Sequence, residues 1–181
     1  MAELKLTNVR GAFLSLFQAK SVPGSEGEPA YSGSFILAKN DPQVKKINEI
    51  IEQVAKEKWN DKAPGILKNA RATDKVMLHD GDLKEQYEGF PGNFFVTARN
   101  KSRPLVIDRD KSPLTEADGR PYSGSYVNVI LDVWAQDNSW GKRVNATLKG
   151  VQFSKDGEAF SGSAPASIDS FDDVSDAEGL A

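Results

Sequence analysis

The 181-residue sequence predicts a mainly β domain with one main helix, and three observations carry that expectation. From Asn93 to Phe153, apolar and polar residues alternate in segments separated by turns rich in Asp, Gly, Pro and Ser, the period-2 mark of half-buried strands. Between Asp41 and Trp59 the apolar spacing changes to steps of three and four, the period of an amphipathic helix. After about Ser161 the residues are small, polar and acidic, too poor in apolar side chains to order themselves. The expected organisation is a folded domain over 1–160 and a disordered acidic tail over 161–181.

In chain order, residues 3–20 read as extended, with Leu4, Leu6, Val9, Phe13, Leu14, Leu16 and Phe17 giving an apolar bias and Gly11 a point of bending. Ser21–Pro29 holds Pro, Gly and Ser and reads as a surface loop. A second strand runs from Ala30 to Lys39. In the helix that follows, Asp41 is suited to the N-cap and Pro42 to the first turn, and Val44, Ile47, Ile51, Val54, Ala55 and Lys58 share one stripe that Trp59 closes. Residues 60–92 are mixed, with a short helix near Ile66–Arg71 and loop elsewhere. Strands are expected at Phe94–Lys101, Leu105–Asp108, Tyr122–Ala135 and Arg143–Phe153.

Composition excludes several classes. There is no cysteine, hence no disulfide framework, thiolate metal site or thiol nucleophile, and a single histidine argues against a His-rich zinc site. No apolar run approaches the length of a membrane span, and Met1-Ala2-Glu3-Leu4-Lys5 does not resemble a signal peptide, so a soluble intracellular protein is expected. The charge is unevenly spread. All 23 Lys and Arg residues lie at or before Lys155, with 19 of the 26 acids, so this body carries +4 and the seven acids after it carry −7. The pI near 5.3 conceals a mildly basic globule with a detachable acidic strip.

The outward rows of the strands indicate what the body binds. In the strand at 94–101, Phe94, Val96 and Ala98 suit the core, whereas Phe95, Thr97, Arg99 and Lys101 face outward, with Arg103 just beyond. In the long strand Val127, Val129, Leu131, Val133 and Ala135 face inward; Tyr122, Tyr126, Asn128, Ile130, Asp132 and Trp134 face outward. In the last strand Val144, Ala146 and Leu148 oppose Arg143, Asn145, Thr147 and Lys149. Flat rings beside cations and short hydrogen-bonding groups suit single-stranded nucleic acid, whose bases stack and whose phosphates attract Lys and Arg. The expected phosphate contacts are Arg99, Lys101, Arg103, Arg143 and Lys149. The expected stacking rings are Phe95, Tyr122, Tyr126 and Trp134. Trp140, Lys142 and Arg143 would form a loop tip that closes over the strand. Tyr31-Ser-Gly-Ser-Phe35 recurs as Tyr122-Ser-Gly-Ser-Tyr126, either from strand propensity alone or because a ligand approaches closely at each Gly.

His79-Asp80-Gly81-Asp82 and Asp108-Arg109-Asp110 invite comparison with a metal-dependent nuclease using Asp80, Asp82 and Asp108, although Asp-x-Asp with Gly is foremost a turn pattern. No P-loop, nucleophile elbow or His-Glu-x-x-His is present, and no enzyme, cofactor or metal site is expected. The lysines of 45–62 alternate with acids, as on a solvated helix face. A third reading is a protein-binding module whose acidic strip mimics DNA.

Five motifs follow one another in a recognisable order: His79-Asp80-Gly81-Asp82; Arg103-Pro104 to Asp108; Tyr122 to Asn128; Trp134 with Asp137-Asn138; and Leu148 to Gln152 leading to Asp156-Gly157-Glu158. This order resembles a family of phage-encoded single-stranded-DNA-binding proteins. The resemblance implies an OB-fold, a five-stranded Greek-key barrel, with no catalysis. It also implies a part in phage DNA replication, recombination or repair in the cytoplasm of an infected host. The tail, with Asp169, Phe171, Asp172, Asp173, Asp176 and Glu178, is similar to that of T7-type phage binders, where it occupies the DNA groove and docks phage or host replication and recombination proteins. Those tails end in Phe, whereas this chain ends Glu178-Gly179-Leu180-Ala181. An OB barrel usually has its helix between the third and fourth strands; here it follows the second unless residues 3–20 supply two strands, divided at Gly11.

Overall fold

The structure, a computed structural model, describes residues 2–21, 27–160, 171–172 and 174–175. Among the described residues seven strands and two α-helices follow in order: β1 (Ala2–Lys20), β2 (Ala30–Ala38), α1 (Gln43–Trp59), α2 (Ala63–Ala72), β3 (Leu78–Asp80), β4 (Asn93–Asn100), β5 (Leu105–Ile107), β6 (Tyr126–Asn138) and β7 (Gly141–Lys155). The sheet order is β3-β4-β2-β1-β6-β7-β5. It closes because β4 also meets β7 in parallel at Arg99 and Thr147, so β1, β2, β4, β6 and β7 form a five-stranded barrel with the OB strand order.

The split at Gly11 is not present. β1 is one 19-residue strand that serves two partners. Its first half pairs with β6, from Ala2 opposite Val133 to Arg10 opposite Tyr126, and its second half pairs with β2, from Arg10 opposite Ile36 to Lys20 opposite Ala30. The strand bends at irregularities on either side of this crossover, where Asn8 (φ 51°) and Phe13 (φ 50°) take left-handed backbone. Gly11 faces the interior, where a Cβ would meet Leu14 at 2.9 Å. The helical insertion therefore follows the second barrel strand.

The alternation expected from sequence holds for the interior. Val96 and Ala98 of β4, Val127 to Val133 of β6 and Val144 to Leu148 of β7 share one core with Leu4, Leu6, Phe35 and Leu37. Ile47, Ile51, Val54, Ala55 and Trp59 of α1 join it. Asp41 caps α1 by accepting the Gln43 N–H at 2.9 Å. Two loop expectations are corrected: α2 is longer than Ile66–Arg71, and Leu78–Asp80 forms an edge strand on β4. Just before it, Met77 donates its N–H to the Val144 carbonyl (2.9 Å) and Lys75 accepts the Val144 N–H (3.0 Å), filling the seam between β4 and β7. Tyr122–Ser125 precede β6 as a turn, not as strand.

After β7 the chain turns back over the barrel as a strap, Asp156–Phe160. Gly124 (φ 110°) lets it pass: a Cβ there would lie 2.3 Å from the Glu158 carbonyl oxygen. Gly124→Ala is expected to cost about 1–3 kcal/mol, read from denaturant midpoints, through strain and displacement of the strap. Gly119→Ala, also at positive φ but in open space, should cost less; equal losses would remove the strap from the explanation.

Candidate nucleic-acid interface

The residues expected to bind DNA divide among distinct surfaces. One group is brought together on the outer face of β4, β7 and β6. Arg99 lies opposite Thr147, Thr147 opposite Asp132, and Trp134 opposite Asn145. The half-buried Trp134 donates its indole N–H to Thr147 Oγ1 at 3.0 Å, fixing the ring on this face, and Asn145 donates to Gln136 at 2.8 Å. Arg143 stands opposite Gln136, and Lys149 is exposed two residues beyond Thr147. Neither Arg99 nor Lys149 has an ion pair among the described residues. At the hairpin tip Trp140 is 80% exposed, with Lys142 3.9 Å from Asp137. In register order along β7 these residues run from Lys149 to Thr147, with Arg99 of β4 beside it, then Asn145 and Arg143, and end at the hairpin tip with Trp140. At the exit of β4, Lys101 pairs with Glu28 at 3.1 Å and Arg103 lies 5.5 Å over the Phe17 ring, both exposed.

The expected tyrosines do not join this strip. The Tyr122 hydroxyl lies within hydrogen-bond distance of the Asp156 carboxylate (3.0 Å) and the Gly157 carbonyl (2.9 Å), and accepts the Gly157 N–H (3.2 Å). Burial pushes its pKa up. Tyr126 sits under Lys155 and Arg10, whose cationic groups are 4.8 and 6.0 Å from its ring centre. Both rings anchor the strap. The close approach expected at Gly124 is real, but the chain's own Glu158 makes it; Gly33 faces inward, against the Phe35 ring.

Phe95 points outward as its register requires, yet it is 5% exposed. Residues remote in sequence cover it: Phe90 at 4.7 Å, His79 stacked at 4.8 Å, and the outer cluster of Ala12, Ile36 and Phe160. As placed, it offers no face to a base. The exposed rings here are ones that sequence reasoning did not assign to binding, Phe13 at 55% and Tyr87 at 39%, edge to face at 4.9 Å. In sequence Phe13 reads as part of the apolar run of the first strand; the strand's irregular backbone is what turns it outward. Strap and cluster meet at Phe160, which is 8% exposed, with the Arg10 guanidinium 4.3 Å over its ring. Arg10 also donates to the carbonyls of Gly124 and Glu158. In the tail, Phe171 and Asp172 are exposed; Asp169, Asp173, Asp176 and Glu178 lie outside the described residues.

The three carboxylates of the nuclease reading are not assembled. Asp80 and Asp82 both hold Lys39, at 2.9 and 2.6 Å, while Asp82 accepts the Gly92 N–H and Asp80 that of Asp82. Asp108 pairs with Arg120 at 2.7 Å, outside this Lys39 cluster. Among the described residues no group of three His, Asp or Glu side chains is placed to hold a metal ion. Hydrogen bonds lower all three pKa values: the Asp82 N–H and then Lys39 at Asp80, Lys39 and then Gly92 at Asp82, and Arg120 at Asp108.

Comparison with known proteins places the chain. The profile of a family described as Enterobacter phage Enc34, ssDNA-binding protein, matches residues 2–181. The chain belongs to this family. It is 46% identical over 179 residues to putative protein p50 of Acyrthosiphon pisum secondary endosymbiont phage 1, covering 97% of this chain and 96% of that one. Its fold matches the single-stranded DNA-binding protein of bacteriophage Enc34 in complex with ssDNA, with a TM-score of 0.71 and 27% identity over 87% of this chain and 88% of that one. The bacteriophage T7 protein gp2.5, a single-stranded DNA binding protein, shares the fold at a TM-score of 0.56 and 12% identity, over 92% of this chain and 99% of that one. The family and both of these solved structures are described as single-stranded-DNA-binding proteins.

The lowered carboxylate pKa values have a consequence in acid. A group whose folded pKa is depressed stabilises the fold above its unfolded value, and that contribution is lost as pH falls through the lower, folded value. Stability should therefore decline as pH drops below the ordinary aspartate value of 3.8. Lys39→Ala should lessen the decline by removing the lysine's part of the shift at Asp80 and Asp82, while the Asp82 and Gly92 N–H groups keep theirs. Parallel pH profiles of urea midpoints for the two proteins would contradict this assignment.

Proposed function

We propose that this protein binds single-stranded DNA with little sequence preference and serves phage DNA replication, recombination or repair. The observation that carries the reading is the family match over nearly the whole chain, together with a fold shared with the Enc34 protein solved with ssDNA. Arg99, Arg143 and Lys149 hold phosphates, with Trp134 presenting its ring beside them. Trp140 and Lys142 extend the path at the hairpin tip, and Lys101 and Arg103 at the exit of β4. Tyr122 and Tyr126 act through the strap and Phe95 as the floor of the outer cluster. Such a surface is tolerant of sequence, because every base has a π-face and every nucleotide a phosphate.

The acidic segment after Phe160 competes for the same cations. Phe160, the last described residue before this segment, is held against the outer cluster by Arg10, which supports a tether that keeps the acids at high local concentration near the proposed DNA path. When DNA displaces it, Asp169, Phe171, Asp172, Asp173, Asp176 and Glu178 become available to replication or recombination proteins. Among the described residues no helix is long and apolar enough to cross a membrane. The phage family supports the infected host's cytoplasm as the setting for this chemistry.

Titration with poly-dT, read by tryptophan fluorescence, tests the reading. Affinity should fall with salt at a slope of about −0.7 per phosphate neutralised, and the slope should shrink by about that amount for each of Arg99→Gln and Lys149→Gln. Removing residues 161–181 should raise affinity, most strongly at low salt. No binding by either form would defeat the proposal, as would Mg²⁺-dependent cleavage of the strand abolished by Asp82→Ala.

A further inference from the structure

We propose that Phe13 and Tyr87 form a base-stacking subsite on the outer face of β1, β2 and β4. The inference rests on the single-strand reading above and adds to it two residues that the cationic strip along β7 does not contain.

Three observations carry it. Both rings stand in water side by side on a buried floor: each makes an edge contact with Phe90, at 5.9 Å for Phe13 and 5.7 Å for Tyr87, and Phe90 is 2% exposed and packed on Phe95. Adjoining large apolar side chains left exposed over a rigid base mark a place of contact, unlike an isolated exposed residue. The backbone holds Phe13 outward at a cost. Its φ of 50° lies in the left-handed region, which a bulky side chain avoids and glycine adopts freely. The irregularity between Ala12 and Ser15 that produces this φ leaves Ala12 buried in the outer cluster and Phe13 on the same side, against the alternation of a regular strand. A ring kept where the backbone disfavours it is the kind of strain found at functional sites.

The surroundings specify the ligand. Register places Ser34 and Thr97 in the row of Ala12, and Ser32 and Arg99 in the next row, opposite Ser15. A flat group with apolar faces, polar edges and a negative charge a short distance away satisfies all of these at once, and an unpaired nucleotide is such a group. The base lies on Phe13 and Tyr87, its edge reaches the Ser32 and Ser34 hydroxyls, and its phosphate meets Arg99, while Thr97 Oγ1 already lies 2.9 Å from His79 Nε2. An apolar helix of a partner protein would use the rings but leave Ser32, Ser34 and Arg99 without a role.

The test uses the full-length protein and two ligands of equal length, oligo-dT and a strand with abasic sites that keeps every phosphate. Wild type should prefer oligo-dT. Phe13→Gly removes the ring while suiting the backbone, so it should melt no lower than wild type, and Tyr87→Ala removes the second ring. Each should weaken oligo-dT binding roughly tenfold, within the range found for loss of one stacking ring, while leaving the abasic strand and the salt slope unchanged. Variants that bind oligo-dT as wild type does would overturn the subsite and leave the single-strand reading intact. Equal losses on both strands would also overturn it, assigning the rings to structure. Wild type that binds neither strand would bring down the underlying reading before any substitution is made.

Discussion

One strand has to serve two partners, and the outer surface of the barrel follows from how it does so. β1 pairs with β6 through its first half and with β2 through its second, and at Arg10 it pairs with both. A regular strand cannot turn that corner, so β1 breaks register on either side of it and takes left-handed backbone at Asn8 and Phe13. The bend lets the sheet curl until β4 meets β7. It also turns Phe13 outward and places the Arg10 guanidinium between the Gly124 and Glu158 carbonyls and the Phe160 ring.

With the barrel closed, its outside divides by chemistry. Along β4, β7 and β6 cations and neutral hydrogen-bonding groups surround Trp134, with Asp132 and Ile130 in the same outward row of β6, and the cations suit a backbone of phosphates. Across β1, β2 and β4 they are rings, buried at Phe90 and Phe95 and exposed at Phe13 and Tyr87. Arg99 belongs to both, being on the strand the two regions share. A nucleotide strand crossing β4 would meet charge on one side and stacking on the other, the two contributions that sequence-tolerant binding combines. Phe160 closes the remaining edge of the ring cluster, which ties the root of the acidic segment to the surface it is proposed to occupy.

Much of this was legible in the sequence because binary patterning reports on the interior. The inward rows of β4, β6 and β7, the stripe of α1 and the cap at Asp41 were all readable from period and composition. What covers an outward row was not. Phe95 reads as exposed from alternation alone, and Phe90 and Phe160, which bury it, come from a loop and from the strap, five residues before and far after it in the chain. Tyr122 and Tyr126 read as stacking rings because nothing in their own strand shows that Asp156–Phe160 folds back over them. Phe13 was hidden for the opposite reason: its segment is apolar throughout, and only the positive φ separates it from its buried neighbours. The edge strand at Leu78–Asp80 is too short to show a period. The nuclease reading failed on geometry that spacing cannot supply, since Lys39 engages Asp80 and Asp82 while Arg120 holds Asp108.

The central claim is that unpaired bases lie across β4, between the exposed rings and the cationic strip. Photocrosslinking with an oligonucleotide carrying halogenated uracil, followed by peptide mass spectrometry, reads base proximity directly. The account expects adducts at Phe13, Tyr87 and Trp134, reduced by the acidic segment and increased when it is removed. Adducts concentrated instead on Tyr122, Tyr126 or the 108–121 loop would place the DNA on the wrong side of the barrel and contradict it.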